Sequence, residues 1–544
     1  MAEKSAHRDG FAAANLPRPE TLPEFIYTRP ELHYPARLNC VHELLDRAVA
    51  EGDGGRTAVV APGLRWSYAD LQNQANRVAE ILRDDLAIVP GNRVLLRAAN
   101  TPMLAACWLG VVKAGAIAVA TMPLLRAREL SWIIDKAEVG LALCDERLGG
   151  ELADAQKLSP RLTRIVHFGG GGGELEQKMA AKTGEFEAVD TSAEDTCFIA
   201  FTSGTTGGPK GVMHFHRDVL AACDCFPPAC IKPTRDDIFC GSPPIAFSFG
   251  LGGLLLFPLR ARAATLLLEN ASPDGLLAGI AEHKASVLFT APTGYRAMLE
   301  KLGDYDISSL RRCISAGETL PKATFEAWRA ATGLAIIDGI GSTELLHIFI
   351  SSADEDIRPG ATGKVVPGYA ARVIDADGRE APPGDIGRLA VRGPTGCRYL
   401  RGEMQENYVQ NGWNLTGDAY RMDADGYFWF EARTDDMIIS AGYNISGPEV
   451  EACLLAHAAV AECACVASPD AARGNIVKAF IVLENGVRGD GALVKALQNF
   501  VKSQIAPYKY PRAIEFTGAL PKTGSGKVQR FRLRDIEREK AGLS

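Results

Sequence analysis

The chain has 544 residues, of which 47% are apolar and 23% charged, and its formal net charge is −7. This length exceeds what one hydrophobic core holds and predicts two or more domains, while the mild negative charge argues against a nucleic-acid-binding surface as the main function. The apolar stretch 249–259 is too short and too broken by glycine and proline to span a bilayer, and residues 1–20 contain no secretory signal. We expect a cytoplasmic protein that binds neither nucleic acid nor membrane.

The 13 cysteines are scattered along the chain and form no C-x-x-C pair. This pattern is typical of reduced cytosolic thiols and not of a disulfide framework or a zinc site. His214 and His216 form an H-x-H pair that can bind a metal. The sequence shows no third ligand nearby, so structural packing is the favoured interpretation.

Helix-like and strand-like segments alternate from about residue 40 to 350. Residues 40–49 and 68–82 carry apolar residues at three- and four-residue spacing, which indicates amphipathic helices, and 102–119 reads as a buried helix running into a strand. This alternation favours layered α/β structure. The short apolar runs that suit buried parallel strands are 197–202, 264–269, 286–290 and 334–338.

The sequence pattern changes after about residue 365. Short apolar segments joined by Asp-Gly turns predict a small antiparallel β unit over about 365–434. The segment 436–544 mixes strands and helices and is long enough to fold alone. We therefore predict a large α/β N-terminal domain over 1–434 that includes the antiparallel unit, followed by a small α+β C-terminal domain over 436–544.

"FTSGTTGGPKG" (201–211) follows a predicted strand and precedes a predicted helix. Backbone N–H groups in such a turn can converge on phosphate oxygens, hydroxyls can add hydrogen bonds and Lys210 a positive charge. Pro209 and Gly211 depart from the common phosphate-loop pattern, and a plain glycine-rich turn remains the alternative. The candidate phosphate-binding residues are Thr202, Ser203, Gly204, Thr205, Thr206 and Lys210.

This stretch resembles the signature of the adenylate-forming superfamily, which includes acyl-CoA synthetases, peptide-synthetase adenylation domains and beetle luciferases. Five further segments resemble the other family signatures and stand in the same order along the chain. These segments are "SAGETLP" (315–321), "DGIGSTE" (338–344), "GWNLTGD" (412–418), "ARTDDMIISAGYNISGPEVE" (432–451) and "LPKTGSGKVQR" (520–530). The resemblance covers nearly the whole chain.

The resemblance implies that a carboxylate attacks the α-phosphorus of ATP and displaces pyrophosphate. Glu344 would hold Mg²⁺, Thr343 would bond the α-phosphate, and Lys527 would bridge the carboxylate and that phosphate. Asp418 would accept both ribose hydroxyls beside Arg433. Taken singly, each residue has a structural alternative, such as a surface ion pair or one solvated cation in a basic tail. The remaining residues of the implied nucleotide site are Gly317, Glu318, Asp338, Gly339 and Ile340.

The second family step, attack by a thiol, requires Lys527 to leave the site. The resemblance implies that a mobile C-terminal domain rotates about Asp435 and brings a loop around Gly442 to the thiol. A surface acidic pair is the alternative for Asp435. The candidate coenzyme A contacts are Gly442 and Tyr443 of this loop and the basic Arg473, for which solvated surface charge is the favoured alternative.

Three positions depart from the family pattern. Ile340 occupies a slot where many members have a tyrosine that stacks on adenine, so the stacking gain of about 0.5–1.5 kcal/mol is reduced to apolar contact. Ala432 replaces a glycine, and Ile439 replaces a lysine. These changes leave adenylation possible in principle and affect the expected ATP affinity.

The segments around 242–253 and 338–349 resemble the benzoate-CoA ligase branch, and the N-terminal segment 22–40 resembles the 2-aminobenzoate-CoA ligase subgroup. An aromatic acid needs a flat apolar slot. His347 can donate a hydrogen bond to the carboxylate or to an ortho substituent, with a structural histidine as the alternative. The candidate pocket residues are Ala246, Phe247, Phe249, Ile340, Gly341, His347 and Ile348.

The function predicted from sequence is an aryl-CoA ligase for 2-aminobenzoate or another ortho-substituted benzoate, using ATP, Mg²⁺ and coenzyme A, as a monomer or homodimer. No carrier-like segment follows the C-terminal motif, which favours coenzyme A as acceptor. Two alternatives stay open: an aryl-AMP ligase that loads a separate carrier protein, and a catalytically silent protein that binds nucleotide or acyl-adenylate.

Overall fold

The computed structural model describes most of the chain, and its contacts divide it into two compact units. The first unit comprises Met1–Ala371 and Val391–Asn414, and the second comprises Arg372–Ala390 and Leu415–Ser544. The described residues are 4–169, 172–202, 209–433, 436–440, 443–470, 473–505, 507–522 and 526–542. These bounds differ from the expected boundary at Asp435, which lies outside the described residues.

Fifteen strands lie wholly in the described part of the first unit's N-terminal segment. They are β1 (Thr57–Ala61), β2 (Leu64–Ser67), β3 (Arg93–Arg97), β4 (Ile117–Thr121), β5 (Leu141–Asp145), β6 (Arg164–Phe168), β7 (Thr196–Phe201), β8 (Gly211–Phe215), β9 (Ile238–Gly241), β10 (Ala264–Leu266), β11 (Val287–Thr290), β12 (Arg312–Ala316), β13 (Ile336–Gly341), β14 (Ile348–Ser351) and β15 (Lys364–Val365).

The helices of the first unit alternate with these strands. They are α1 (Phe11–Asn15), α2 (Tyr68–Asp84), α3 (Pro102–Lys113), α4 (Ala127–Ala137), α5 (Gly149–Leu158), α6 (Glu174–Ala180), α7 (His216–Phe226), α8 (Ser248–Leu251), α9 (Phe257–Arg260), α10 (Pro273–His283), α11 (Pro292–Leu299), α12 (Lys322–Thr332) and α13 (Gln405–Tyr408). Across the described residues, no helix combines the length and apolar character needed to cross a membrane.

Two mainly parallel sheets organise the first unit. One has the strand order β6-β5-β3-β4-β7-β8 and the other β15-β14-β13-β12-β11-β9-β10-β1-β2. Among the described strands, antiparallel pairing is confined to the ends of the sheets: β7 with β8 in the first, and β1 with β2, β13 with β14 and β14 with β15 in the second. Separate buried apolar clusters pack on the two sheets, around Leu95 and Ile134 in one case and around Leu288 and Trp328 in the other. The predicted α/β layering is confirmed.

Helix α2 shows how the sequence sets these elements. Ser67 caps its N-terminus, because the Ser67 hydroxyl accepts from the Asp70 N–H at 3.1 Å while the Asp70 carboxylate accepts from the Ser67 N–H at 2.9 Å. Such a cap contributes about 1 kcal/mol. Leu71, Val78 and Leu82 recur on one face and are buried. The predicted helix at 68–82 is therefore confirmed, with two further residues at its C-terminal end.

The chain passes between the units within three strands, β16 (Ala370–Ile374), β17 (Ile386–Arg392) and β19 (Trp413–Met422). The short strand β18 (Val409–Gln410) pairs antiparallel with the start of β19, and β20 (Phe428–Arg433) pairs antiparallel with its continuation. Antiparallel pairing was expected for 365–434.

The rest of the second unit is a small α+β structure, as predicted. Strand β23 (Val460–Asp470) pairs antiparallel with β24 (Gly474–Leu483), which pairs parallel with β25 (Ala513–Phe516). The helices of this unit are α14 (Gly447–Leu455), α15 (Gly491–Gln504) and α16 (Arg530–Lys540), and its remaining strands are β21 (Met437–Ser440) and β22 (Tyr443–Ser446). Residues of α14 and α15 are buried against one side of β23–β25, and Leu533 of α16 joins the cluster on the other.

Candidate functional site

Glu344 lies just beyond the end of β13 and is only 8% exposed. The hydroxyl of Tyr399 donates to its Oε1 at 2.6 Å. Burial and the neighbouring Glu344 carboxylate raise the pKa of Tyr399, so the phenol stays protonated and keeps donating. Within the described ranges, no lysine or arginine forms an ion pair with Glu344. A buried carboxylate is thus oriented by a neutral group.

Lys210 approaches the same tyrosine from another segment of the chain. Its Nζ lies 5.5 Å from the centre of the Tyr399 ring, and Val212 forms an antiparallel bridge with Tyr399. The Thr202 N–H donates to the Lys210 carbonyl at 2.9 Å, which closes the two ends of the predicted phosphate loop. Tyr399 therefore contacts residues of two predicted motifs. The loop residues outside the described part of the chain are Ser203, Gly204, Thr205 and Thr206.

His214 fixes the backbone of Thr343. Its Nε2–H donates to the Thr343 carbonyl at 2.8 Å, and burial lowers the pKa of His214 to about 4, so the ring is neutral. The ring stacks on Phe198 at 4.7 Å between centroids. Below it, Arg398 donates to Asp218 at 2.6 Å in a fully buried ion pair. His214, the first histidine of the H-x-H pair, thus holds the backbone of Thr343, the residue preceding Glu344.

Asp338 lies within β13, and Gly317 directly follows the neighbouring strand β12. Ser315 on β12 pairs in register with Asp338 on β13. The Asp338 Oδ1 is enclosed and has no hydrogen-bond partner among the described residues, and burial raises the pKa of Asp338 to about 8. Gly317 has φ +87°, which favours glycine. The other predicted residues adjoining these two are Glu318, Gly339, Ile340 and Gly341.

His347 is buried among aromatic rings. Burial lowers its pKa to about 3, and its Nε2 lies 3.4 Å from the Phe249 carbonyl, while the enclosed Nδ1 has no partner among the described residues. A side chain at Gly252 would place its Cβ 2.4 Å from the His347 ring, so only glycine fits there. The remaining rings around His347 belong to Phe226, Phe257 and Phe289.

Two other predicted pocket residues, Ala246 and Phe247, line a small apolar cavity in the first unit. Trp108 and Phe198 supply its aromatic walls. Ile348, also predicted, is buried in β14. Phe198 is also the ring on which His214 stacks. The same side chain therefore lines this cavity and packs against the histidine that holds the Thr343 backbone.

In the second unit, Asp418 and Arg433 are register partners on β19 and β20. Arg433 donates to Asp418 Oδ1 at 2.9 Å and to the Thr416 carbonyl at 3.2 Å. Gly417 has φ +76°, and a Cβ there would lie 2.9 Å from the guanidinium. Burial raises the pKa of Asp418, while the positive charges of Arg433 and Lys527 act in the opposite direction. The exposed Lys527 therefore lies near the Asp418 carboxylate.

The residues expected to bind coenzyme A are largely beyond the described part. Gly442 lies outside the described residues, and Tyr443 is described only by its backbone in β22. Arg473 is exposed, and its backbone N–H donates to Asp470 Oδ1 at 2.9 Å. In the described part of the chain, no two of the residues predicted to bind coenzyme A are seen in contact with each other.

Tyr399 was not found from the sequence, and His214 was considered only as a packing residue or a metal ligand, with packing favoured. Tyr399 lies 55 positions from Glu344 and belongs to none of the six quoted motifs. The pairing of β8 with the segment before Tyr399 is what brings it to the site. An isolated tyrosine carries no signal of that pairing.

The residues around Glu344 fit a magnesium ion. Mg²⁺ usually binds through one or two carboxylates together with substrate phosphates and water. Glu344 offers one carboxylate whose partner is a hydroxyl, so its charge is not neutralised by a neighbouring cation in the described part of the chain. The protein would supply the Glu344 carboxylate as a ligand of the magnesium ion, and the ATP phosphates and water would supply the remaining ligands.

The chain matches the family model "AMP-binding enzyme" over residues 45–399 and "AMP-binding enzyme C-terminal domain" over 449–527. It is 35% identical to the benzoate–CoA ligase of Thauera aromatica, with 93% of this chain and 98% of that protein covered. The crystal structure of the anthranilate CoA ligase AuaEII with anthranoyl-AMP matches at a TM-score of 0.89 and 35% identity, covering 95% of this chain and all of that one (100%).

A benzoate CoA ligase from Burkholderia xenovorans LB400 matches at a TM-score of 0.83 and 30% identity, covering 91% of this chain and 100% of that one. These matches confirm the resemblance and the α/β fold that the motifs implied. The chain belongs to the family of AMP-binding enzymes.

Proposed function

We propose that the protein is an ATP-dependent aryl-CoA ligase that adenylates an aromatic carboxylate and transfers the resulting aroyl group to the thiol of coenzyme A, releasing AMP. The observation that carries this proposal is the buried Glu344, whose partner is the Tyr399 hydroxyl at 2.6 Å instead of a cation. ATP and coenzyme A are the co-substrates that fit the family. The favoured acid is 2-aminobenzoate or another ortho-substituted benzoate.

In the first step, a carboxylate oxygen of the acid forms a bond to the α-phosphorus of ATP, and the bond to pyrophosphate breaks. The step brings several anions together, so the residues act by positioning and by charge stabilisation. We assign Lys210 and the hydroxyls of the 202–206 loop to the phosphates. Thr343 would donate to the α-phosphate, with its carbonyl held by the neutral His214.

Glu344 would hold Mg²⁺, which when bound neutralises phosphate charge. Tyr399 keeps one carboxylate oxygen engaged and so limits rotation of the side chain, leaving the other oxygen for the cation. Because the Tyr399 phenol stays protonated, this orientation does not change with pH in the neutral range.

Asp418 would accept the ribose hydroxyls. Its carboxylate is buried, and Arg433 occupies Oδ1 at 2.9 Å, which fixes the plane of the carboxylate. Lys527 would stabilise the negative charge that builds up between the acid and the α-phosphate. Its location near Asp418 supports this role, because a residue that acts at the α-phosphate must reach the ribose side of the nucleotide.

The choice of an aromatic acid rests on apolar surfaces in the first unit and on the relatives. Phe247, Trp108 and Phe198 line a small cavity with aromatic side chains, the kind of wall that a flat ring needs, and the cavity would have to widen to admit one. Benzoate and anthranilate (2-aminobenzoate) are named for the ligases that the chain resembles. His347 is neutral, with an unpartnered Nδ1 within the described residues, which suits a hydrogen bond to an ortho amino group.

The test is AMP release with a benzoate panel, ATP and Mg²⁺, measured with and without coenzyme A. AMP release that depends on both coenzyme A and a benzoate supports the proposal, with 2-aminobenzoate expected to give the highest kcat/KM. Pyrophosphate exchange without coenzyme A-dependent release would instead indicate loading of a carrier protein. Neither signal would indicate a protein that binds nucleotide without catalysis.

A further inference from the structure

Three soft ligand atoms meet in the core of the first unit, outside the site described above. The sulfurs of Cys40 and Cys197 and a ring nitrogen of His216 all lie within 4.8 Å of one another. Cys40 and Cys197 are 0% exposed and His216 is 1% exposed. The sequence offered no third ligand near the H-x-H pair. The fold supplies two, because Cys40 is brought in from the N-terminal segment and Cys197 from β7.

One ring nitrogen of His216 turns its lone pair towards Cys40. The Cys40 backbone N–H donates to His216 Nδ1 at 3.2 Å, so a metal bound at Nδ1 would take the place of this hydrogen bond. The Cys40 Sγ lies 3.3 Å from the same nitrogen. Zinc binds thiolate at about 2.3 Å and imidazole at about 2.0–2.1 Å, so two such ligands lie about 3.3–3.7 Å apart. The observed spacing falls within that range.

Cys40 differs from the other cysteines of the chain. Burial raises the pKa of a thiol, as it does for Cys107, Cys240 and Cys313. Burial also raises the pKa of Cys40, but hydrogen bonding with Cys197 and the neighbouring His216 lower it to about 6, while burial and Cys40 raise the pKa of Cys197 well above its usual value. The two thiols therefore share one proton before a metal binds, and only one of them is a thiolate.

We propose that Cys40, Cys197 and His216 form a structural site for one soft cation with a filled d shell, zinc(II) or copper(I). Thiolate and imidazole are the ligands that these ions prefer. Zinc(II) would displace the shared proton and copper(I) would leave it in place, so that either buried complex is electrically neutral. The ion would join the N-terminal segment to β7 and to the start of α7.

The site is closed to solvent, so the ion must enter before the core forms. Because the three ligands come from distant parts of the chain, binding is coupled to folding. The full chain is therefore unfolded and refolded anaerobically with zinc(II) or copper(I), passed over a chelating resin, and analysed for metal by mass spectrometry. We expect about one ion per chain for at least one of the two metals.

Three variants and one control locate the ion. Cys40→Ala, Cys197→Ala and His216→Gln should each retain less than about a tenth of the metal, since each removes one of three ligands. Cys240→Ala is the matched control, because Cys240 is an equally buried thiol beside Cys313 and belongs to no cluster of three metal-ligating side chains in the described part of the chain. It should retain the wild-type metal content.

X-ray absorption on the refolded wild type avoids any folding defect of the variants. It should show two sulfur neighbours at about 2.2–2.3 Å and one nitrogen. A refolded wild type that retains neither metal would overturn the proposal. So would equal metal loss in Cys240→Ala, or an intact mass showing a Cys40–Cys197 disulfide with no bound metal.

Discussion

Glu344 in the first unit and Asp418 in the second are nearly equally buried carboxylates, at 8% and 7% exposed, yet they have different partners. Asp418 is paired with the Arg433 guanidinium at 2.9 Å. Glu344 accepts from the neutral Tyr399 hydroxyl at 2.6 Å. Each residue is the last of a sequence motif, and each lies in a strand or shortly after one. The difference between their partners therefore does not come from secondary structure.

The difference indicates what each carboxylate can still bind. A buried charge without a counter-ion is costly, and an external cation relieves that cost. Asp418 already has its counter-ion, so its free oxygen can accept hydrogen bonds from neutral hydroxyls. We infer that Glu344 is arranged for a metal ion and Asp418 for a sugar, and five predictions test this contrast.

Replacing Glu344 should have the largest effect. Glu344→Gln keeps the shape and removes the charge, so we expect adenylation kcat/KM to fall by about 10²–10³-fold, as when a preorganised electrostatic contact is lost. Electron paramagnetic resonance should also show that Mn²⁺ no longer binds in the presence of ATP. The control Glu355→Gln alters an exposed carboxylate and should change neither. Retained Mn²⁺ binding in Glu344→Gln would contradict the assignment.

Lys527→Ala should slow adenylation by about 10²-fold, because a positive charge near the reacting oxygens is lost. Thiol transfer from supplied aryl-AMP should be unchanged. Lys522→Ala is the matched control, since Lys522 lies in the same segment but pairs with Glu462 at 2.7 Å. Stopped-flow measurement of each half-reaction separates the two steps, and equal loss in both would refute the role of Lys527.

Asp418→Asn should raise the KM for ATP by about 10-fold or more, since hydrogen bonds to a charged acceptor contribute about 1.5–3 kcal/mol. The 2′- and 3′-deoxy analogues of ATP give an internal control. The wild type should discriminate against them, whereas the variant should bind ATP and the deoxy nucleotides about equally. If the variant discriminates as strongly as the wild type, Asp418 does not contact the ribose.

Tyr399→Phe should weaken Mn²⁺ binding in the presence of ATP by about 10-fold, because it removes one hydrogen bond that orients the Glu344 carboxylate. The control Tyr408→Phe removes a neighbouring hydroxyl whose oxygen lies 3.3 Å from the Ser342 hydroxyl. Titration by calorimetry measures both. A similar loss in the two variants would assign the effect to general packing of the tyrosine pair.

Asp338 extends the comparison to a buried carboxyl that has no ion pair with a lysine or arginine among the described residues, and its effect should be the smallest. Its native pKa of about 8 lies above the value near 4 of an unfolded chain, so the folded state keeps a proton that the unfolded state loses. Stability should therefore fall as pH rises from about 4 to 8. Asp338→Asn should flatten this slope in thermal melts; an unchanged slope would disprove the raised pKa.

Much of the fold and part of the site were predictable from sequence. The apolar runs at 197–202 and 286–290 form β7 and β11, because uninterrupted apolar residues suit strands covered on both faces. The strand predicted at 334–338 is β13, which begins two residues later than the apolar run. Pairing with β12 and β14 extends this strand to Gly341. The Asp418–Arg433 pair was expected, since both residues lie in recognised motifs.

The contacts that the sequence did not reveal join residues far apart in the chain. Tyr399 meets Glu344, and Cys40 meets His216, only because separate segments pack against β8 and β7. A lone tyrosine or cysteine has no periodic or motif signal, so its partner depends on the tertiary structure. The charge state of Asp338 likewise follows from enclosure by neighbouring strands, which composition does not show.

The most direct test of the proposed function separates the two half-reactions on one sample. The protein is mixed with ATP, Mg²⁺ and 2-aminobenzoate without a thiol, and the products are identified by mass spectrometry before and after coenzyme A is added. We predict enzyme-bound 2-aminobenzoyl-AMP first, and its full conversion to the coenzyme A thioester and AMP afterwards. Failure of every benzoate to give an acyl-adenylate, in a protein that binds ATP, would contradict the account.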